Sequence, residues 1–280
     1  MSFDKNHFID LGPKNDYGFQ ISYEDPSLLR EWTQDLSPKE ICAISSGGES
    51  VLLGFLPLGV PVIGVDIAYN SIAFTYLKAK LIERYEAKEL KKIMQTSAKL
   101  NRVLEEIMLE MPETLSKRII SQYSPPSDVA LSSGSHDWDE LWKQISHVWS
   151  KTPDWVIDAS RKNLENLTLV HGNQADCKKF GKFEMVYSSN AIGYSSQAPL
   201  DNYALISLTK NNGHILSSCQ LPKDILSILK LERTKNDDIP DGYSYFLYKK
   251  DNGLFGLLIT EFLVGVRKIK KQSPFKYFFY

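Results

Sequence analysis

The sequence predicts an α/β fold built on a doubly wound parallel sheet, and three observations carry that expectation. Residues 41–66, ICAISSGGESVLLGFLPLGVPVIGVD, read as a short apolar strand, a Ser/Gly turn, a helix and a second apolar strand that ends in a carboxylate. Further strand-like runs at 167–170, 183–187 and 214–218 come after helical stretches. Strands that are apolar throughout and alternate with helices belong to a sheet covered on both faces. The third observation is a gap: roughly 100 residues separate the second and third strands, where a minimal crossover needs about a dozen. An insertion of that length usually forms a lid or a binding subdomain.

The elements follow in order. Residues 1–38 form a polar entry segment with one short helix at 27–34, Pro26 suiting its first turn. The first strand is set at 40–44 and its helix at 49–56; Pro57, Gly59 and Pro61 end that helix, and the second strand is 62–65. From 71 to 120 the pattern is helical and charged, with Ala73, Leu77, Leu81 and Ile82 on one stripe, and the charges of 88–110 read as a solvated helix face. Residues 121–135 are a loop by composition, and a second helical stretch covers 137–150. There Trp138, Trp142 and Trp149 share a face with Ile145, either as core packing or as the wall of an acceptor pocket. A helix at 200–211 precedes the strand at 214–218, and β-rich runs at 243–248 and 257–266 suggest an antiparallel pair at the sheet edge. The expected organisation is an entry segment (1–38), a nucleotide-binding domain (39–70 and 166–280) and a helical insertion (71–165) acting as an acceptor-side lid.

Composition narrows the function. The net charge of −1 gives no global field for a nucleic-acid polymer or an anionic membrane, so neither is expected as a partner. No apolar run reaches the roughly 18–20 residues that span a bilayer. The first residues, MSFDKNHFIDLGPKND, are unlike a signal peptide, and a cytoplasmic location is expected. Cys42, Cys177 and Cys219 lie far apart, which argues against a disulfide framework, a zinc site or a radical iron–sulfur cluster, so no metal is expected.

The turn after the first strand carries the chemistry. Gly47 and Gly48 let a ligand approach the backbone, and the helix behind them offers unpaired N–H groups. Asp66 lies eighteen residues after Gly48, at the tip of the second strand, where a carboxylate accepts hydrogen bonds from both hydroxyls of a ribose. The turn is not G-x-G-x-x-G and has no P-loop lysine, which disfavours pyrophosphate and triphosphate ligands. An adenosine ligand without phosphates fits better, and S-adenosylmethionine (SAM) is the commonest of these.

Residues 24–82 run EDPSLLREWTQDLSPKEICAISSGGESVLLGFLPLGVPVIGVDIAYNSIAFTYLKAKLI. This segment resembles the SAM:diacylglycerol 3-amino-3-carboxypropyltransferases of betaine-lipid synthesis and their relatives. The matching positions are Glu24-Asp25-Pro26, Ser46-Gly47-Gly48, Val65-Asp66 and Leu77-Lys78-Ala79, and MVYSSNAIGYSS at 185–196 is similar to the family's fourth-strand motif. Glu49-Ser50 stands where that family has Cys-Asn, and Ala68-Tyr69 where it has Asn-Pro. The resemblance implies a Rossmann-like class I SAM-dependent methyltransferase fold with a long helical insertion between the second and third strands. It also implies SAM as co-substrate and transfer of its 3-amino-3-carboxypropyl arm, releasing methylthioadenosine. The acceptor is then a small molecule, a nucleotide conjugate, a peptide or a lipid head group. Two other readings stand beside it: a small-molecule methyltransferase on the same fold, and a non-catalytic SAM-binding partner protein.

A sulfonium activates each of its carbons, so such an enzyme selects the transferred group by holding one carbon about 3–3.5 Å from the acceptor in line. Ser45, Ser46, Gly47 and Gly48 are the expected cofactor turn, Glu49 a ligand for the cofactor ammonium or a helix first-turn acid, and Asp66 with Ile67 the ribose end. Asn173 and Asp176, after His171 and Gly172, compete to meet the adenine amino group. Ser188, Ser189 and Asn190 end the fourth strand, facing the crevice where ligands bind in open α/β sheets, and Asn190 is placed at the reacting end. Tyr194 is set to orient the acceptor or stack near the sulfonium, and Tyr23 to close over the site.

Overall fold

The computed structural model describes residues 3–12, 24–123, 138–189, 204–218, 220–221, 229–236 and 244–250. The chain divides into two compact units, Met1–Asp176 and Cys177–Tyr280.

The first unit carries four parallel strands in the order β1 (Phe8–Asp10), β4 (Leu167–His171), β3 (Val62–Asp66) and β2 (Ile41–Ile44). Ile41, Cys42 and Ala43 in β2 and Leu167, Leu169 and Val170 in β4 are fully buried, as strands covered on both faces require. Gly64 in β3 admits close packing, since a Cβ there would lie 3.0 Å from Leu169 Cδ2. The sequence reading missed β1: three residues next to a polar segment show no periodicity, and only pairing with Leu169, Val170 and His171 makes them a strand.

Helix α1 (Pro26–Leu36) begins where Asp25 accepts the Ser27 N–H at 2.8 Å, with Pro26 in its first turn. The segment after β2 departs from the expected α-helix. Ser50–Phe55 is a π-helical turn followed by a 3-10 turn, Leu56–Leu58, and Gly59 ends it in the left-handed region at φ 76°. All six residues of the π turn are buried, and two of their carbonyls, those of Leu52 and Leu53, find side-chain donors. Arg30 Nη1 donates to Leu53 O at 2.8 Å and Ser160 Oγ to Leu52 O at 2.6 Å. These partners lie 23 and 108 residues away, beyond the reach of local sequence patterning.

Helix α2 (Tyr69–Arg84) buries its residues nearly all round. The charged run beyond it is amphipathic rather than merely solvated. Helices α3 (Ala87–Met94) and α4 (Ser97–Glu110) bury Leu90, Ile93, Leu104 and Ile107 and turn their charges outward. Helices α5 (Glu113–Tyr123) and α6 (Trp138–Lys151) follow. Trp142 and Trp149 are buried, with Ile145, in the core of this unit, so the packing reading describes these two residues. A further helix, α7 (Asp154–Lys162), lies beyond the helical stretches the sequence predicts. It is tied in by Asp154 to Lys91 (2.7 Å) and by Asp158, which accepts the Ala87 N–H at 3.1 Å.

The second unit pairs β5 (Phe183–Ser188) with β6 (Thr209–Ser217) in parallel; β8 (Ser244–Lys250) runs antiparallel to β6 and to β7 (Leu229–Asn236). Residues 204–208 are helical, within the expected 200–211. The antiparallel pair is present with a different partner. β7, LKLERTKN, is a charged edge strand exposed at 230–234, and its sequence alternates apolar and polar only over Leu229–Leu231. Residues 257–266, expected as the second member, lie outside the described residues. No helix among the described residues is long and apolar enough to cross a membrane.

Candidate functional site

The strongest site geometry lies at the carboxyl ends of β2, β3 and β4 in the first unit. Leaving β2, the chain passes through three residues of positive φ in succession: Ser46 (42°), Gly47 (87°) and Gly48 (111°). A non-glycine in this region is uncommon and strained, and Ser46 is held there by its contacts. Its N–H donates to Asp66 Oδ2 at 3.1 Å, while Gly48 N–H donates to Ser45 O at 2.7 Å. Gly48 is packed so closely against α2 that a Cβ would stand 3.0–3.1 Å from Thr75 atoms.

Helix α2 holds this turn at two places. Ser45 Oγ and Thr75 Oγ1 lie 2.5 Å apart, and Thr75 donates in turn to Ser71 O at 2.6 Å. One helical turn on, Lys78 Nζ donates to Gly47 O at 2.7 Å and pairs with Glu49 Oε1 at 2.5 Å. Both side chains of that pair are 0% exposed, and Trp149 Nε1 of α6 donates to the same Glu49 oxygen at 3.4 Å. Burial lowers the Lys78 ammonium from its usual range, and the charge and hydrogen bond of Glu49 oppose that shift. In the sequence Lys78 stands only within the helical Leu77-Lys78-Ala79 pattern; an internal lysine reads as solvent-facing until the fold buries it.

Asp66 is part-buried at the end of β3. Its other oxygen accepts the Ala68 N–H at 2.8 Å. Burial pushes its carboxyl from the ordinary 3.8 up to about 6, against the lowering effects of the Ala68 and Ser46 N–H groups, Ser71 and His171. Ile67, beside it, is a large apolar residue left 44% exposed.

Register explains the other neighbours. Asp66 pairs with His171 across β3 and β4, and His171 with Asp10 across β4 and β1, so three polar side chains stand in a row. The His171 ring is fully buried, with Nδ1 2.7 Å from Asp10 Oδ1 and Nε2 3.1 Å from Ile67 O. Tyr69 stands edge-on to it at 4.6 Å between ring centroids. Asn173 and Asp176 are engaged with each other's segment. Asn173 Oδ1 accepts the Ala175 N–H at 2.8 Å, and Asp176 Oδ2 accepts the Asn173 N–H at 3.2 Å, an Asx-type start to the 3-10 turn Gln174–Phe180.

Ser45, Ser46, Gly47, Gly48, Glu49, Asp66, Ile67, Asn173 and Asp176 therefore all belong to the first unit. The sequence set Glu49 against the cofactor ammonium or the helix dipole; its carboxylate is turned inward onto Lys78 and Trp149. Ser188 ends β5 in the second unit and Ser189 follows it, both buried. Tyr23, Asn190 and Tyr194 lie outside the described residues. No group of three or more metal-ligating side chains occurs among the described residues.

No family model matches this sequence, and no curated protein matches it either. Solved structures do. The rRNA methyltransferase aviRa from Streptomyces viridochromogenes aligns over 82% of this chain and 86% of its own, at 11% identity and a TM-score of 0.41. The glycopeptide N-methyltransferase MtfA in complex with SAM aligns over 92% and 81%, at 11% identity and a TM-score of 0.33. The same enzyme with sinefungin aligns over 91% and 87%, at 12% identity and a TM-score of 0.35. The α/β class with a parallel, helix-covered sheet stands on the strands and helices described above; the aminocarboxypropyltransferase resemblance gains nothing from these comparisons. One expectation is corrected. The net charge of −1 does not exclude a nucleic-acid polymer as partner, and that expectation is withdrawn. Net charge averages over the whole surface, so it does not describe the local field at an acceptor site.

Proposed function

We propose that this chain is a SAM-dependent transferase whose first unit binds the co-substrate. The observation that carries the reading is the hydrogen bond from Ser46 N–H to Asp66, which fixes a left-handed turn beside a strand-end carboxylate. In this reading Asp66 takes the ribose hydroxyls, Ile67 lies over the adenine and the backbone of Ser45–Gly48 faces the methionine part. The exposed apolar surface of Ile67 and the left-handed turn at 46–48 suit such a ligand. Asn173 and Asp176 form the neighbouring rim at the adenine end. Ser189, Asn190, Tyr194 and Tyr23 stay proposed, from the sequence, for the reacting end and the acceptor.

When bound, SAM supplies an electrophilic carbon next to a sulfonium. The protein's share is to hold that carbon in line with the acceptor and to exclude water. The new bond forms as the carbon–sulfur bond breaks, and sulfur keeps the electron pair as a neutral thioether. Transfer of the 3-amino-3-carboxypropyl arm is the finer proposal, supported by the pattern shared at 24–82. Methyl transfer is supported equally by the same cofactor geometry, because orientation alone selects the carbon.

Mass spectrometry of products from pure protein, SAM and cell extract separates the two, with the RNA and small-molecule fractions assayed apart. Methylthioadenosine above the enzyme-free control, with an acceptor about 101 Da heavier, establishes arm transfer. S-adenosylhomocysteine establishes methyl transfer, and neither product above control counts against catalysis.

A further inference from the structure

We infer that Lys78 is a positioning residue for the amino-acid arm of the bound co-substrate, acting through the Gly47 carbonyl and the Glu49 carboxylate; the inference rests on the SAM-binding reading of this turn. Lys78 lies in the interior of α2 and is fully buried, where an ammonium has a large desolvation cost unless it is paired. Its partners are not scattered. Nζ binds Gly47 O at 2.7 Å and Glu49 Oε1 at 2.5 Å, so one charge grips the turn on both sides of Gly48.

The direction of the turn assigns the end of the ligand. Ser46 is bonded to Asp66, the proposed ribose residue, so Gly47, Gly48 and Glu49 lead away from the ribose along the remainder of the ligand. Thr75 holds the near side of the turn through Ser45, and Lys78, one helical turn later, holds the far side. Glu49 is fixed from a third direction by Trp149 of α6. A carboxylate compensated by Lys78 in this way is not a counter-ion for the ligand's ammonium. It acts by setting the turn, and the arm meets backbone whose orientation Lys78 has chosen. Hydrophobic packing alone would bury α2 equally well with a leucine at 78. A charged residue at this position is explained by what it holds.

The test compares three ligands that share the adenosine end: SAM, S-adenosylhomocysteine and methylthioadenosine, the last lacking the amino-acid arm. Binding is measured by calorimetry on the full chain for wild type, K78M and the double variant E49Q/K78M. K78M leaves Glu49 buried without its cation and lowers Tm; E49Q/K78M removes both charges and recovers Tm. The expected result for E49Q/K78M is an approximately tenfold weaker affinity for SAM and S-adenosylhomocysteine, with methylthioadenosine changed less than about twofold. Equal loss for all three ligands, or wild-type affinity for SAM in the double variant, overturns the inference and leaves SAM binding standing. Wild-type protein that binds none of the three overturns the cofactor reading and this inference together.

Discussion

The N–H of Ser46 donates to Asp66 Oδ2 at 3.1 Å, joining the turn after β2 to the tip of β3 across twenty residues of sequence. The same carboxylate accepts the Ala68 N–H at 2.8 Å, so Asp66 organises the loops that leave two adjacent strands. Asp66 therefore has a structural task even in the absence of ligand.

Replacing Asp66 with Ala removes the proposed ribose acceptor. SAM affinity is expected to fall at least about tenfold, the loss of one or more charge-assisted hydrogen bonds. Calorimetry measures it, and unchanged affinity in a folded variant rejects the ribose assignment.

The raised carboxyl of Asp66 makes binding depend on pH. Its pKa of about 6 against 3.8 means that the folded protein binds a proton that the unfolded chain does not over this range. Stability supplied by this group is therefore greatest at low pH and declines as pH rises from about 4 to 6, then is level. Ligand binding favours the ionised form, so SAM affinity is expected to fall as pH drops below about 6. Asp66→Asn is expected to flatten both profiles, read by thermal melts and calorimetry between pH 4.5 and 8 (about 1.4 kcal/mol for each pH unit of coupled ionisation). Profiles that keep their slope in the variant assign the titration to another group.

Gly48 has φ 111° and a Cβ there would meet Thr75 at 3.0–3.1 Å. Gly48→Ala is expected to destabilise the first unit by about 1–3 kcal/mol, through backbone strain and this contact. A denaturant midpoint equal to wild type contradicts the clamped turn.

His171 bridges Asp10 and the Ile67 carbonyl from a fully buried ring. His171→Ala removes both contacts and leaves a cavity beside Tyr69, with an expected loss of about 2–4 kcal/mol. Because the Ile67 segment is released, SAM affinity falls as well in the proposed function. A His171→Asn variant, which retains one short donor, is expected to lose less of both in the same melts and titrations.

How much of this was legible follows from the range of each signal. The parallel strands β2, β3 and β4 show as apolar runs, because a strand covered on both faces must be apolar along its length. Gly47-Gly48 and Asp66 stand at fixed places relative to those runs, so the candidate turn and carboxylate were readable from local sequence. Strands β1 and β7 were not. Phe8–Asp10 is too short for periodicity, and the charged Leu229–Asn236 becomes a strand only through its partner β8.

The sequence by itself determined the α/β class and the two ends of a candidate cofactor turn, because backbone preference and apolar patterning act over a few residues. Tertiary structure alone decided that Lys78 is buried on Gly47 and Glu49, that Trp149 reaches the Glu49 carboxylate, and that Arg30 and Ser160 bind the Leu53 and Leu52 carbonyls of the π turn. Each of those contacts joins residues 23 to 108 positions apart. Their identity is set by which polar groups must find partners once the core excludes water, a condition that no local pattern encodes.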